Sequence, residues 1–352
     1  MRIKLAIMDS DAKYVKKFTT YCASNYADKL EIYAFSNQSS FENFLKQGRI
    51  DVLLASEDLL QDGYEKPAGM QYAYLSESLD IEKIKGVTAI CKYQKPDDIY
   101  KEVLRLFAEI ETSATYKFSG SFCPVITFLP GSEDSGAVMV ALGCAGYLAS
   151  SGKNVLFLDL RENAYVRDLL EDGNGGSLSD VLYAIKSKKP NLSLKLESLK
   201  QENSRGIKYY QPFTTTLDQK DMRAEELAQL INVESAAENM DYIVTVIDSN
   251  ISDVRNEMMD RASEIVYVAS GNEAASEELN RRLLELKLID ERDSTRLCAK
   301  TRIIYSNCGS KSKISAADDN FQIAGYINKY SAADRKQIVN EISGLPVFEK
   351  LL

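Results

Sequence analysis

The chain has 352 residues, 45% of them apolar, which is enough to bury the cores of two domains rather than one. Its formal net charge of −9 argues against a dedicated nucleic-acid binder, because phosphate contacts need a basic face. It contains no histidine, which removes imidazole as general base, metal ligand and pH switch. In chain order, apolar alternation predicts strands at Ile3–Met8, Leu30–Phe35, Asp51–Ala55, Tyr72–Leu75 and Thr88–Tyr93. Helical spacing predicts helices at Asp11–Asn25, Ser39–Gln47 and Asp97–Glu111 between and after them. Such alternation implies a parallel sheet wrapped by helices.

Landmarks in this first stretch resemble a response-regulator receiver: Asp9 and Asp11 after the first strand, Ser76 after the fourth, and Lys95-Pro96 after the fifth. A receiver takes phosphate on an Asp at the end of strand three, beside a carboxylate-held Mg²⁺. In the frame of Ile50 to Leu54 that position is Ser56, so the resemblance implies a receiver-shaped interaction module without its phosphoacceptor. Glu57 and Asp58 stand close by as alternative acceptors, but turn capping is the simpler role for them. Asp9 and Asp11 likewise suit the N-cap of the first helix.

Residues 114–121 are short, polar and Gly-containing, and mark the boundary to a second domain. Beyond it, FCPVITFLPGSEDSGAVMVALGCAGYLASSGKNVLFLDL (122–160) is a buried strand, a Gly/Ser/acid turn, a small-residue helix to Ser150 and a second buried strand. The order and spacing resemble the first unit of the MinD/ParA family of deviant P-loop ATPases, whose pattern is roughly KGGxGKTT, a small-residue helix, GK, a strand and an Asp. Ala141, Ala145, Leu148, Ala149, Gly152, Lys153 and Asp159 fall where that family has them. The phosphate loop does not. The signature lysine falls on Ser132, the glycine pair on Glu133 and Asp134, the second lysine on Ala137 and the metal-binding Thr on Val138; only Gly136 is kept.

A phosphate cradle offers backbone N–H groups and a helix N-terminus to an anion, with Lys for charge and a hydroxyl for Mg²⁺. Carboxylates in its place oppose binding by up to about 4 kcal/mol for each contact near 4 Å at an effective dielectric of about 20. Ser132, Glu133, Asp134 and Ser135 are also good capping residues, so the helix is expected to be capped by its own chain. Asp241 to Asp248 is a buried strand ending in a carboxylate, as the Walker B element does, and in the resembled family that Asp lies near Mg²⁺ and the attacking water. Without a phosphate loop, Asp248 and Asp159 are expected to act as loop caps, and the family's next acidic position falls on Arg161. Asn307, after a strand at Thr301–Tyr305, matches the family's adenine-reading Asn. Gly136, Asp159, Asp248 and Asn307 are thus the remnant of a nucleotide site, with no catalytic or metal residue assigned.

Elsewhere, helices are expected at Leu178–Lys188, Arg223–Met240, Asn272–Leu288 and Ala332–Ser343, strands at Ile207–Tyr210 and Glu264–Ala269, and a surface excursion at Lys195–Arg205. The six cysteines stand singly with no CxxC pair, so they are expected to be reduced and structural. The N-terminal stretch meets acidic residues too early for a signal peptide, and no apolar run is long enough to span a bilayer. The closing GLPVFEKLL carries a single Lys and a Glu, unlike the basic membrane tail of MinD proteins.

A receiver-like module ahead of a MinD/ParA-like domain resembles the TadZ/CpaE family, which places the Flp-type pilus secretion machinery in bacterial cells. The resemblance implies an α/β chain of two doubly wound parallel-sheet domains, a flavodoxin-like receiver (1–113) followed by a MinD/ParA-like P-loop NTPase fold (122–352). It implies a cytoplasmic localisation or assembly scaffold, at the cell pole or the inner face of the membrane through its partners. Those partners would be proteins of a pilus complex and a second copy of the chain, with no nucleic acid, no membrane span and at most peripheral membrane contact. With the phosphate loop degenerate, no cofactor is expected and the protein is not expected to be an enzyme. The competing expectation is an atypical ATP- and Mg-binding ATPase with nucleotide-dependent dimerisation.

Overall fold

A computed structural model describes residues 2–352 except 28, 47, 62, 68, 109–122, 163, 165, 167, 172–174, 189–190, 237–239, 294, 311, 313, 315–320 and 331–333. The expected linker, 114–121, therefore lies outside the described residues. The chain divides into two compact units, Met1–Tyr116 with Ser187–Ser198, and Lys117–Lys186 with Leu199–Leu352.

The first unit runs β1 (Ile3–Met8), α1 (Ala12–Asn25), β2 (Leu30–Phe35), α2 (Gln38–Leu45), β3 (Val52–Ser56), β4 (Gln71–Ser76), β5 (Lys83–Ile84), β6 (Val87–Cys91) and α3 (Pro96–Ala108). Its sheet has the order β2-β1-β3-β4-β6-β5, parallel except for β5, which pairs antiparallel with β6. Side chains alternate across it, as the two-residue period of a strand requires. Ile3, Leu5 and Ile7 of β1 join Phe18, Val103 and Phe107 on one face, while Ala6 and Met8 join Phe41 and Leu53 on the other. Strand β5 was not expected from sequence. It is only two residues long, and its tight turn is set by Lys85 and Gly86, both at positive φ (51° and 80°), as a two-residue hairpin loop demands.

The second unit begins with β7 (Val125–Pro130), α4 (Ala137–Ser150), β8 (Val155–Asp159) and α5 (Leu178–Lys186). Then comes α6 (Leu192–Leu199), whose residues 192–198 group with the first unit, where Leu194 lies in the same core as Ile3 and Phe107. There follow β9 (Gln201–Glu202), β10 (Ile207–Tyr209), α7 (Thr216–Asp221), α8 (Ala224–Ser235), β11 (Tyr242–Val246), α9 (Asp253–Arg261) and β12 (Glu264–Ser270). The chain closes with α10 (Glu273–Asp293), β13 (Thr301–Cys308), β14 (Gln322–Asn328) and α11 (Arg335–Ser343). The sheet order is β14-β13-β12-β7-β11-β8-β10-β9, with β9 and β10 antiparallel and the other pairs parallel.

Helix α4 is apolar on nearly every side and is buried along most of its length, as expected of a helix with no solvent face. Its small residues let α11 approach closely: a Cβ on Gly143 would run into Ile342, and one on Gly146 would meet Ser343 Oγ at 2.6 Å. The expected surface excursion at Lys195–Arg205 is instead structural. Lys200, Gln201 and Asn203 are buried, and Lys200 Nζ lies 2.7 Å from Glu234 Oε2 beneath β9. A lysine inside a polar run looks solvated until its distant carboxylate partner is placed. The C-terminal segment also packs inward: Val347, Phe348 and Leu351 belong to the main core of this unit. No described helix is long and apolar enough to cross a membrane.

Candidate functional site

The turn from β7 to α4 contains Ser132 to Gly136, the residues aligned above with the phosphate loop of the resembled family. Gly136 is the N-cap of α4 at φ 65°, ψ 27°, a left-handed conformation that favours glycine, and no side chain caps the helix. The expectation that Ser132 to Ser135 cap α4 is therefore overturned. Ser132 Oγ is instead taken up by the neighbouring strand, accepting the N–H of Ser270 at 3.1 Å. Ser132 and Ser135 are buried, while Glu133 and Asp134 are exposed.

Three donors from the ends of β12 and β13 hold the turn by its carbonyls. Ser270 Oγ donates to Asp134 O at 2.7 Å, Ser306 Oγ to Ser135 O at 2.6 Å, and Asn307 Nδ2 to Asp134 O at 3.0 Å. Ser249 Oγ adds a bond to Pro130 O. The N–H of Glu133 faces a carboxylate rather than a phosphate, with Glu278 Oε2 at 3.4 Å. Glu133, Asp134 and Glu278 thus gather acid groups beside an α4 N-terminus that carries no lysine.

Asp159 and Asp248 stand at the ends of adjacent parallel strands, β8 and β11. Asp159 is 3% exposed and is gripped by Arg161, whose Nε and Nη2 donate to its two oxygens at 2.8 and 2.7 Å. Burial lowers the Arg161 pKa, but the bond to Asp159, together with the charges of Asp159 and Asp248, outweighs it and holds the guanidinium above its ordinary range. Asp248 Oδ2 accepts the backbone N–H of Glu162 at 2.7 Å. The cleft beside them, about 610 Å³, is lined by Glu162, Gln219, Lys220, Arg223, Asp248 and Asp253. Lys220 Nζ pairs with Glu162 Oε1 at 2.7 Å.

Of Gly136, Asp159, Asp248 and Asn307, Asn307 is bonded to the turn that leads into Gly136, Asp159 is held by Arg161, and Asp248 is bonded to the neighbouring Glu162 N–H. Among the described residues no group of three or more Cys, Asp or Glu could hold a metal ion. The functional residues that the sequence did not single out are Ser270 and Ser306. Serines at strand ends are ordinary turn residues, and only the fold brings them to the carbonyls of a loop far away in the chain.

The first unit has a counterpart at the same edge of its sheet, a cleft of about 790 Å³ lined by Ser10, Ser56, Glu57, Asp58, Ser76 and Lys92. Asp11 caps α1, accepting the N–H groups of Lys13 and Tyr14 at 2.9 and 3.0 Å. Asp9 Oδ1 accepts the N–H of Asp11 at 2.7 Å, and Asp9 Oδ2 lies 3.5 Å from Lys92 Nζ. Lys92, next after β6, lines this cleft together with Lys85, which pairs with Glu57 Oε1 at 3.1 Å, and Lys95 does not. Lys95 is exposed, and its carbonyl opens α3 by accepting the N–H of Asp98 at 2.9 Å. Ser56, at the phosphoacceptor position, is 8% exposed and donates to Met8 O at 3.4 Å.

A family model described as TadZ-like, receiver domain, matches residues 1–108. No curated relative matches the chain. Among solved structures, a ParA family ATPase from Chlorobium tepidum TLS is similar at 18% identity and a TM-score of 0.51, over 65% of this chain and 93% of that one. The MinC:MinD cell division protein complex of Aquifex aeolicus is matched at 17% identity and a TM-score of 0.45, over 65% and 89% of the two chains. The septum site-determining protein MinD complexed with Mg-ADP from Pyrococcus horikoshii OT3 is matched at 17% identity and a TM-score of 0.46, over 63% and 94%. At such identities the likeness to the ParA family ATPase is one of fold. Residues 1–108 thus match a TadZ-like receiver domain, and the chain also shares its fold, over 65% of its length, with a ParA family ATPase.

Proposed function

We propose that this protein is a non-catalytic localisation or assembly scaffold of the TadZ/CpaE type, serving a Flp-type pilus secretion machinery through protein contacts. It keeps two α/β scaffolds for their surfaces and works without ATP or Mg²⁺. The single observation that carries this reading is Arg161, which stands where the resembled family has an acidic residue and whose guanidinium occupies both oxygens of Asp159. The turn before α4 supports it. What remains there to attract a phosphate is the helix N-terminus, worth roughly 0.3–1 kcal/mol and up to about 2 kcal/mol in a partly buried setting. Against it stand the carboxylates of Glu133, Asp134 and Glu278, each able to oppose a phosphate by up to about 4 kcal/mol at close range.

The test is titration calorimetry of the full chain with Mg-ATP and Mg-ADP, paired with phosphate release. The expected result is no heat of binding at micromolar nucleotide and no turnover. A Mg-dependent site of micromolar affinity would overturn the reading. Turnover lost on Asp248→Ala would establish the ATPase in its place.

A further inference from the structure

Helix α10 has 21 residues and a length of about 30 Å at 1.5 Å per residue. One face packs into the second unit through Ala275, Ser276, Leu279, Leu283 and Leu286, all buried. The opposite face carries Arg281, Leu284, Leu288 and Glu291, with the alternating spacing of three and four residues that marks a coiled-coil seam. Leu284 and Leu288 are each 57% exposed. A lone exposed leucine needs no explanation, but two in consecutive layers of one seam, with an exposed cation before them and an exposed anion after, form a patterned stripe.

We propose that α10 is a self-association surface, pairing antiparallel with α10 of a second copy of this chain. A two-fold axis at the level of Leu286 sets Leu284 against the partner's Leu288, and by symmetry this layer forms twice. The same axis carries Arg281 to the partner's Glu291, also twice, so the leucine layers are closed at both ends by opposite charges. A parallel, in-register pair would instead oppose like charges at both ends. Charge order along the stripe therefore selects the antiparallel orientation and an isologous, closed dimer. Two leucine layers and two ion pairs form a small contact beside the roughly 1,200–2,000 Å² of stable interfaces, so the association is expected to be weak and reversible. This inference rests on the scaffold reading, in which no nucleotide drives assembly.

Sedimentation velocity of the full chain over a concentration series, without nucleotide, tests it. A reversible dimer is expected, with Leu284→Glu/Leu288→Glu raising its Kd by about 100-fold or more. Arg281→Glu and Glu291→Arg should each weaken it by about 10-fold, and a 1:1 mixture of the two variants should regain wild-type affinity. The double variant Arg281→Glu/Glu291→Arg should also regain it, since antiparallel pairing merely exchanges the partners. These surface charge variants keep the test informative if the leucine variant fails to fold. A strict monomer, or charge variants without mutual rescue, would overturn the proposal. A nucleotide-independent dimer indifferent to all four variants would overturn it and leave the scaffold reading standing, whereas a dimer formed only with Mg-ATP would remove both.

Discussion

The two sheet edges neutralise a surviving carboxylate in different ways. In the second unit the planar fork of Arg161 takes both oxygens of Asp159 at 2.7 and 2.8 Å, and the backbone N–H of Arg161 adds a third contact at 3.3 Å. In the first unit Lys92 approaches one oxygen of Asp9 at 3.5 Å and is shared with exposed Glu77 at 3.2 Å, while the other oxygen of Asp9 accepts the Asp11 N–H. A bidentate guanidinium fixes geometry as well as charge, whereas an ammonium is a point charge on a flexible stem. The carboxylate of the second unit is thus held by a fixed fork, and that of the first by a looser ammonium beside one backbone donor.

The sharpest way to break this contrast is to remove each cation. Arg161→Ala leaves Asp159 buried without its partner and should cost about 3–5 kcal/mol of stability in urea unfolding, the usual penalty for an uncompensated buried charge. Lys92→Ala leaves Asp9 with its backbone donor and should cost less, about 1–2 kcal/mol. Arg161→Lys should recover only part of the loss, since the charge returns without the fork. Equal losses at the two edges would mean that shape plays no part at the second.

A smaller effect is expected at the latched turn. Ser270→Ala and Ser306→Ala each remove one hydroxyl donor to a loop carbonyl, at about 1 kcal/mol apiece. Together they should speed amide hydrogen exchange across 132–137 while leaving the Ser56 edge of the first unit unchanged. Exchange that stayed slow in the double variant would assign the rigidity of the turn to Asn307 and to the buried position of Ser132 instead.

How much of this was legible beforehand follows from what each feature depends on. Strands β1, β7 and β8 and helix α4 announce themselves through local apolar runs; β1 has the expected bounds, Ile3–Met8, and α4 ends at the expected Ser150. Strand β14 did not, because Gly325 interrupts it; a Cβ there would meet Val347 Cγ2 at 2.5 Å, so the glycine serves a close approach that no local pattern encodes. The positions of Asp159, Asp248 and Asn307 could be taken from spacing, but not their partners. Arg161 lies two residues from Asp159 and was visible as a charge reversal, whereas Ser270, Ser306 and Lys92 gain their meaning only when strands adjacent in space bring them together. The supposed cap at Ser132 failed for the same reason: its hydroxyl bonds across the sheet to Ser270 rather than along its own helix.

Alkaline pH offers the finest discrimination between the two edges. Burial lowers the Lys92 pKa, but the hydrogen bond to Glu77 and the charge of Asp9 outweigh it and hold the amine above its ordinary 10.5. A raised folded-state pKa means that the stabilising contribution of Lys92 is complete below pH 10.5 and is lost as pH rises through the folded value. The Arg161 guanidinium, held above its already high ordinary range, stays charged across that window. Other groups also titrate there, among them Cys123, whose thiol is pushed up to about 11 by burial, so the informative quantity is a difference between variants. Urea unfolding of wild type and Lys92→Met at stepped pH should give a gap that narrows above pH 10.5, while the gap between wild type and Arg161→Ala stays constant. A Lys92 gap that also stayed constant would show that its stem packs but its charge does nothing for Asp9, and that the first edge is held by the Asp11 amide alone.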